Sequence, residues 1–124
     1  MSVIVRDDGF HAEDFDGNAG LDLASDASVD ALPASFDGVE MIRVAFPAFS
    51  DGRGFTLARH LRGLGYAGRL RAKGHVIADQ YAMARRCGFD EVEITDDLAA
   101  RQPEAHWLFR ARWREQDYRS RLTA

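Results

Sequence analysis

The sequence VEMIRVAFPAFSDGRGF, residues 39–55, decides the fold that the rest of the chain must fit. Its apolar first half, Val39 to Phe46, is too continuous for a surface hairpin and predicts a central, buried strand. Pro47 fixes φ where that strand should end, and a helical pattern begins near Thr56. A buried strand followed by a short loop and a helix is typical of a βαβ unit.

The same alternation continues on both sides of this segment. Before this segment, the pattern predicts a strand at 21–24 and a helix that is capped by Ser25 and Asp26 and carries Val29, Leu32 and Phe36. After the strand at 39–46 it predicts a helix ending at Gly65, a strand at 69–73 and a helix around 76–87. A strand at 91–95 and a final helical region interrupted at Pro103 complete the chain. We therefore expect an α/β fold with a mostly parallel sheet of about four strands, built from right-handed βαβ units. Two arrangements fit this pattern. One is an open doubly wound sheet, and the other is a half-barrel whose missing half comes from a second copy of the chain.

Composition indicates one compact domain. The 124 residues are 46% hydrophobic and 29% charged, which fits a single α/β domain at 21–124 preceded by an acidic N-terminal arm or lead-in strand at 1–20. No apolar stretch approaches the roughly 20 residues that span a bilayer, and Met1 to Phe10 has no signal-peptide core. We expect a cytoplasmic protein that does not bind membranes.

Charge is distributed unevenly along the chain. Residues 1–51 carry 11 acidic and 2 basic side chains, whereas residues 52–124 carry 9 acidic and 14 basic ones. This division argues against nucleic acid as a partner of the whole chain. It suits docking to another protein, or the binding of a small anion by the basic half.

The glycine-containing loop before the first helix is a candidate site. Gly52 and Gly54 let the backbone reach φ > 0 or approach a ligand closely, and Arg53 lies at a helix start, where free N–H groups attract anions. Arg53 is the strongest candidate for binding a sulfonate, phosphate or carboxylate, and Asp51 is a candidate proton carrier. The alternative is an ordinary helix-capping turn in which Arg53 forms a salt bridge with Asp51 or Asp79.

Both arrangements of the sheet place functional groups at the carboxyl ends of the strands, which here means the loops at 51–54, 73–75 and 95–97. We call this edge the mouth. Arg71 is predicted to face the mouth, or else to neutralise Asp79 inside the fold. Asp79 and Gln80 occupy the first turn of the next helix, where capping explains Asp79 but Gln80 needs a partner. His75, beside Gly74, is a candidate general acid or base, and the alternative is a surface histidine.

The remaining residues indicate no metal or nucleotide site. Cys87 is alone and falls on an apolar helix face, which predicts a buried, unreactive thiol. His11, His60 and His106 lack zinc-ligand spacing, so we expect no metal. The chain contains no GxGxxG, GxxxxGK[ST] or GxSxG motif, so no cofactor is visible. A basic mouth at the end of a parallel sheet leaves flavin binding open.

The C-terminal helix is a second candidate surface, because it is both basic and aromatic. Its candidate partner-binding residues are Trp107, Arg110, Trp113 and Arg114. The alternative is a helix with one packed face and one solvated face. Since the predicted sheet has open edges, a homodimer also fits.

Three motifs together resemble a known bacterial family. They are FPAFSDGRGFTLARHLR at 46–62, GRLRAKGHVIADQ at 68–80 and RCGFD at 86–90. The family is one of unknown function whose members are described as oxidoreductases involved in sulfite reduction, and they accompany the genes of assimilatory sulfate reduction. The resemblance covers roughly residues 20–120. It implies a pathway, while the reaction stays open.

From this resemblance we expect an accessory or electron-delivery protein that acts with sulfite reductase in sulfur assimilation and cysteine biosynthesis. The alternative is a small oxidoreductase of sulfur metabolism, flavin-dependent or not, which would bind an anionic substrate on Arg53 and Arg71. The sequence leaves open whether the chain is itself an enzyme.

Overall fold

The computed structural model describes residues 2–15, 20–28, 32 and 35–112. Its elements, in chain order, are β1 (Ser2–Arg6), β2 (Gly9–His11), β3 (Gly20–Leu23), β4 (Met41–Phe46), α1 (Arg53–Gly63), β5 (Arg69–Gly74), a 3-10 turn (Ala78–Gln80), α2 (Tyr81–Cys87), β6 (Glu91–Thr95), α3 (Asp96–Arg101) and α4 (Glu104–Arg110). The fold is α/β, as predicted.

The six strands form one sheet in the order β2-β1-β6-β5-β4-β3. The strands β3 to β6 are parallel neighbours in chain order, whereas β1 is antiparallel to both β2 and β6. Since each crossover advances in the same direction, right-handed connections put their helices on one face of the sheet. Contacts of α1 with α2 and of α2 with α4 agree with a single helical layer. The half-barrel alternative fits this order. The doubly wound alternative is wrong, because it needs the strand order to reverse.

The sheet has two strands more than the predicted four. Both β1 and β2 come from residues 1–20, which composition assigned to an acidic arm or lead-in strand. Val5 pairs with Val92 of β6, and Gly9, with φ at +120°, follows the turn that joins the two strands. The acidic residues around this turn hid a short run of β-branched apolar residues, Val3 to Val5, that is typical of a strand.

One face of the sheet packs against the helices and forms the core. Its buried side chains, none more than 4% exposed, include Ile42, Val44, Phe46, Leu70, Ala72, Val92 and Ile94 from the strands and Leu57, Ala58, Leu61, Tyr81, Ala84 and Trp107 from the helices. Burying a large apolar side chain contributes about 1.5–3 kcal/mol. The burial of apolar surface in this layer therefore supplies most of the favourable free energy of folding. It also fixes how the strand ends are arranged.

The opposite face of the sheet carries charges that are buried at its centre. Arg71 on β5 is 0% exposed, and Glu91 and Glu93 on the adjacent β6 are 2% and 6% exposed. Residues 12–15 lie against this face, where Glu13 accepts a hydrogen bond from Arg71. Parallel sheets are normally covered on both faces. Here the N-terminal segment covers this face, on which none of the helices in the described ranges lies.

Some predictions fall outside the described residues. The candidate partner-binding residues Trp113 and Arg114 lie outside them. The helix predicted after Ser25 is covered in part, and the described residues 25–28, 32, 35 and 36 are not helical. In the part of the chain that the structure describes, no helix is both long and apolar enough to cross a membrane.

Candidate functional site at the carboxyl ends of the strands

The carboxyl ends of β3 to β6 lie along one edge of the sheet because these strands are parallel. Loop 47–52 follows β4 there, residues 75–77 follow β5, and α3 follows β6 directly. These are the loops in which the sequence predicts the site. The structure brings them together.

Asp51 and Arg53 form a two-pronged ion pair in the first of these loops. The Arg53 Nε and Nη2 atoms donate to the two Asp51 carboxylate oxygens, each at 2.9 Å, and Ser25 Oγ donates at 2.7 Å. The Arg53 hydrogen bonds, followed by the Ser25 bond, hold the pKa of Asp51 well below its usual range. Asp51 also accepts the Arg53 backbone N–H at 3.1 Å, which is the first N–H of α1. The helix thus begins three residues before the predicted start. The structure thus has the salt bridge of the alternative interpretation.

Neither glycine of the loop has a left-handed backbone, and packing requires a glycine only at Gly54. Gly52 has φ at −82°, and a side chain there would meet open space. A Cβ on Gly54 would collide with the aromatic ring of Phe46. The left-handed glycine at this edge is instead Gly74, with φ at +119°, where a Cβ would lie 2.6 Å from the Phe46 carbonyl oxygen.

Arg71 lies on the other face of the sheet, away from the mouth. Its Nη1 donates to Glu13 at 2.6 Å and to Glu93 at 2.8 Å, and its Nη2 donates to Glu91 at 3.3 Å. Successive side chains of a strand point to opposite faces, and Leu70 and Ala72 occupy the helical face. Both predictions for Arg71 are therefore wrong, since it neither faces the mouth nor neutralises Asp79.

Asp79 and Gln80 connect neighbouring segments. Asp79 is exposed and accepts a hydrogen bond from Arg110 at 3.0 Å. The Gln80 side chain accepts from the Ile77 backbone N–H at 3.0 Å and donates to the Phe49 carbonyl at 2.6 Å. Gln80 thus has the partner that the sequence analysis expected, and it ties loop 47–52 to the turn after β5.

His75 is the predicted residue that does line a pocket at the mouth. Its side chain is exposed, and its backbone N–H donates to the Phe46 carbonyl at 2.9 Å. The pocket measures about 430 Å³ and is lined by Phe49, His75, Ile77, Leu98, Arg101 and Gln102. Arg53 lines a different pocket of about 430 Å³, with Ser25 and His60 among its neighbours. The two candidate groups are therefore not assembled into one site.

Sequence reasoning missed Arg101, the cation of the mouth pocket. It is the last residue of α3 and is exposed. Within the described residues it forms no ion pair. A basic residue at the end of a short helix, just before Pro103, is an ordinary helix-ending pattern. Only the position of α3 directly after β6 brings Arg101 to the carboxyl ends.

The C-terminal helix contributes to the core as well as to the surface. Trp107 is 1% exposed, its Nε1 donates to the Gln102 carbonyl at 2.8 Å, and its ring packs edge-on against Tyr81 at 6.0 Å between centroids. Trp107 is thus unavailable as an exposed contact, whereas Arg110 remains partly exposed. This matches the alternative of one packed and one solvated face.

The last predictions are a buried thiol at Cys87 and the lack of a metal site. Cys87 is buried, 3% exposed, on the inner face of α2, as predicted. No group of three or more metal-ligating side chains is found in the described ranges.

Comparison with known families gives a match over most of the chain. Residues 20–120 match the profile of DUF934, described as a bacterial protein of unknown function. The chain belongs to the DUF934 family. No curated protein is significantly similar to it.

The structure explains why the three motifs of this DUF934 protein occur together. Arg62 of the first motif donates to the Gly88 carbonyl at 2.8 Å and to the Asp90 carboxylate at 3.0 Å, both in the third motif. Asp90 in turn accepts the backbone N–H of Leu70, in the second motif, at 2.9 Å. These bonds lie at the amino ends of β5 and β6, opposite the mouth. Part of the motif pattern therefore holds the fold together.

Proposed function

We propose that this DUF934 protein is an accessory or electron-delivery protein of assimilatory sulfite reduction that acts by docking to sulfite reductase. The pathway comes from the resemblance of the three motifs. The docking role is supported by one observation: exposed apolar side chains cluster beside the mouth, while the guanidinium groups of Arg53 and Arg71 are occupied by carboxylates of the chain itself.

The docking surface, which we name the Phe49–Phe109 surface, consists of Phe49, Asp79, Met83, Arg110 and Phe109. Its apolar members are 60%, 43% and 63% exposed for Phe49, Met83 and Phe109. Phe49 is joined to the turn that carries Asp79 by the hydrogen bond from Gln80 to its carbonyl, and contacts link the other four residues. Asp79 pairs with Arg110, whose guanidinium lies 5.4 Å from the centre of the Phe109 ring. Asp79 and Met83 line one pocket.

The chemistry of this surface suits a protein partner. Large apolar side chains that lie together in contact with water mark interaction sites. Phe, Met and Arg are also among the residue types enriched at protein interfaces. Arg110 is neutralised by Asp79, but the adjoining Arg59 is exposed and has no carboxylate partner among the described residues, so it gives the surface a positive charge. An acidic, partly apolar patch on the reductase would complement it.

The enzyme alternative is less well supported. It assigned the anionic substrate to Arg53 and Arg71 jointly, but these residues lie in different places and each already has a carboxylate partner. An anion would have to displace Asp51 from Arg53. A yellow colour of the purified protein would revive this alternative, because it would show a bound flavin.

Binding to purified sulfite reductase from the same bacterium tests the proposal. We expect a complex in analytical ultracentrifugation, weakened at least about tenfold by Met83→Ser or Phe109→Ser, since hot-spot truncations cost about 2 kcal/mol or more. Leu64→Ser is the matched control. Leu64 is 55% exposed but follows the far end of α1. No complex, or equal loss with the control, would count against docking at this surface.

Growth of a strain that lacks the gene tests the pathway separately. The proposal predicts growth on sulfide and failure on sulfate and on sulfite as sole sulfur sources. These three sources bracket the six-electron reduction of sulfite to sulfide. Normal growth on all three would remove the pathway from the proposal.

A further inference from the structure

We propose that the pocket at the carboxyl ends of β4, β5 and β6 binds a small organic monoanion with an aromatic or aliphatic body. Its lining residues are Phe49, His75, Ile77, Leu98, Arg101 and Gln102, and its volume is about 430 Å³. That volume lies in the range typical of small-molecule sites. The inference does not depend on the docking role.

The charge of the ligand follows from Arg101. It has no carboxylate partner among the described residues. Its planar fork of donors matches a carboxylate or sulfonate group. A single free guanidinium favours one negative charge. Three other arginines are already paired within the chain, Arg53 with Asp51, Arg71 with glutamates, and Arg110 with Asp79.

The body of the ligand follows from the other walls. Phe49 presents an aromatic side chain that is 60% exposed, and Ile77 and Leu98 are partly buried beside it. A bare inorganic anion would leave these surfaces in contact with water. A ligand that carries an apolar group next to its acid group would cover them. His75 supplies a further polar group at the rim.

Hydrogen bonds preorganise the pocket before any ligand binds. Gln80 Nε2 donates to the Phe49 carbonyl at 2.6 Å, and the Gln102 side chain accepts the Ala78 backbone N–H at 2.6 Å. The Gln102 carbonyl accepts from Trp107 Nε1 at 2.8 Å. The walls from three loops are therefore fixed relative to one another, which lowers the entropic cost of binding.

The second pocket of similar size gives an internal comparison. It is lined by Ser25, Asp26, Thr56, His60 and others together with Arg53. Its one guanidinium is held by both oxygens of Asp51. The mouth pocket is thus the better anion site of the two, because its arginine needs no partner to be displaced.

Titration of the full chain with benzenesulfonate, followed by backbone amide NMR shifts, tests the inference. We expect saturable shifts at residues 75–77 and 98–102, with a dissociation constant of millimolar order for so small a ligand. Sulfate tests the charge alone and benzyl alcohol the apolar body alone. Each should bind at least about tenfold more weakly, because each lacks one of the two interactions.

Two variants make the assignment specific. Arg101→Gln should weaken benzenesulfonate binding about tenfold through loss of a charge-assisted hydrogen bond. Arg59→Gln is the matched control, since Arg59 is also exposed and forms no ion pair in the described part of the chain, but it lies on α1 outside the pocket. The amide spectrum of each variant reports whether it is folded.

Several results would overturn the inference. Sulfate binding as tightly as benzenesulfonate would show a simple anion site, and benzyl alcohol binding equally would show an apolar crevice. Shifts confined to the Arg53 pocket, no saturation, or equal effects of Arg101→Gln and Arg59→Gln would each refute it. Failure of docking to sulfite reductase would leave it intact, because the docking variants do not touch this pocket.

Discussion

Replacement of Arg71 by methionine is expected to destabilise the fold severely. Arg71 is fully buried, and its guanidinium lies 2.6–3.3 Å from carboxylate oxygens of Glu13, Glu91 and Glu93. Methionine fills similar space but removes the guanidinium that pairs with Glu13 and with Glu93. Glu93 then keeps only Lys73, at 3.8 Å, whereas Glu91 keeps Arg6 and Arg69. Removing one partner of a buried ion pair costs about 3–5 kcal/mol. That is a large part of the roughly 5–15 kcal/mol by which a domain of this kind is stable.

Urea unfolding followed by intrinsic fluorescence measures this loss as a change in the free energy of unfolding. Arg43→Met is the matched control, because Arg43 lies on the same face of the sheet but pairs with Asp22, whose side chain is 66% exposed. It should cost less than about 1 kcal/mol. Adding Glu93→Gln to Arg71→Met should recover part of the stability, since it removes a buried charge that has lost its nearest cation.

A loss in Arg71→Met no larger than the loss in Arg43→Met would contradict the buried ion-pair role. The role would also be contradicted if Glu93→Gln lowered the stability of the Arg71→Met protein by as much as it lowers that of the unaltered protein. The two side chains would then act independently. Should Arg71→Met not fold at all, Arg71→Lys supplies a measurable case. It keeps the charge but loses the forked donors, so a smaller loss is expected.

Three further predictions concern single side chains. Hydrogen bonds from Arg6 and then Arg69 lower the pKa of Asp14 to about 2 from 3.8. The contribution of this ionised carboxylate to stability is therefore complete above about pH 4 and is lost as the pH falls toward 2. It should amount to less than about 1 kcal/mol, because the side chain is half exposed. When the free energy of unfolding is measured against pH, this dependence should vanish in Asp14→Asn. Gly54→Ala should cost about 1–3 kcal/mol in urea unfolding because the new methyl meets the ring of a buried phenylalanine, whereas Gly52→Ala, which meets open space, should cost less than about 1 kcal/mol; equal losses would contradict the packing role. Gln80→Ala should speed hydrogen exchange at the Ile77 amide by removing its acceptor, and an unchanged rate would show that this bond is not formed in solution.

The elements of the parallel sheet could be predicted from local patterns. The apolar run ending at Phe46, the helix with Leu57 and Leu61 on its inner face, and the strand at Glu91–Thr95 all appear in the structure. Hydrophobic period and turn residues are local properties, so a single sequence reveals them. The β1–β2 hairpin was missed because its strands are short and lie among acidic residues.

The site was harder to predict because it depends on which groups meet. A salt bridge of Arg53 with Asp51 or Asp79 was the alternative to an anion site, and the structure shows the pair with Asp51. Arg71 was misplaced, although the apolar neighbours Leu70 and Ala72 imply that it points to the opposite face. Arg101 gave no local signal, because nothing in its own segment shows that α3 starts at the carboxyl end of β6.

The sequence by itself determined the α/β class, the succession of strands and helices from β4 onward, and the edge of the sheet where the loops collect. Each of these follows from periodicity, from proline and glycine, and from the geometry of parallel strands. Tertiary structure alone decided the singly wound strand order, the burial of Arg71 among glutamates, and the pairing state of each arginine. Those outcomes depend on contacts between residues as far apart as Glu13 and Arg71. Such contacts arise only when the whole chain packs, so no local pattern encodes them.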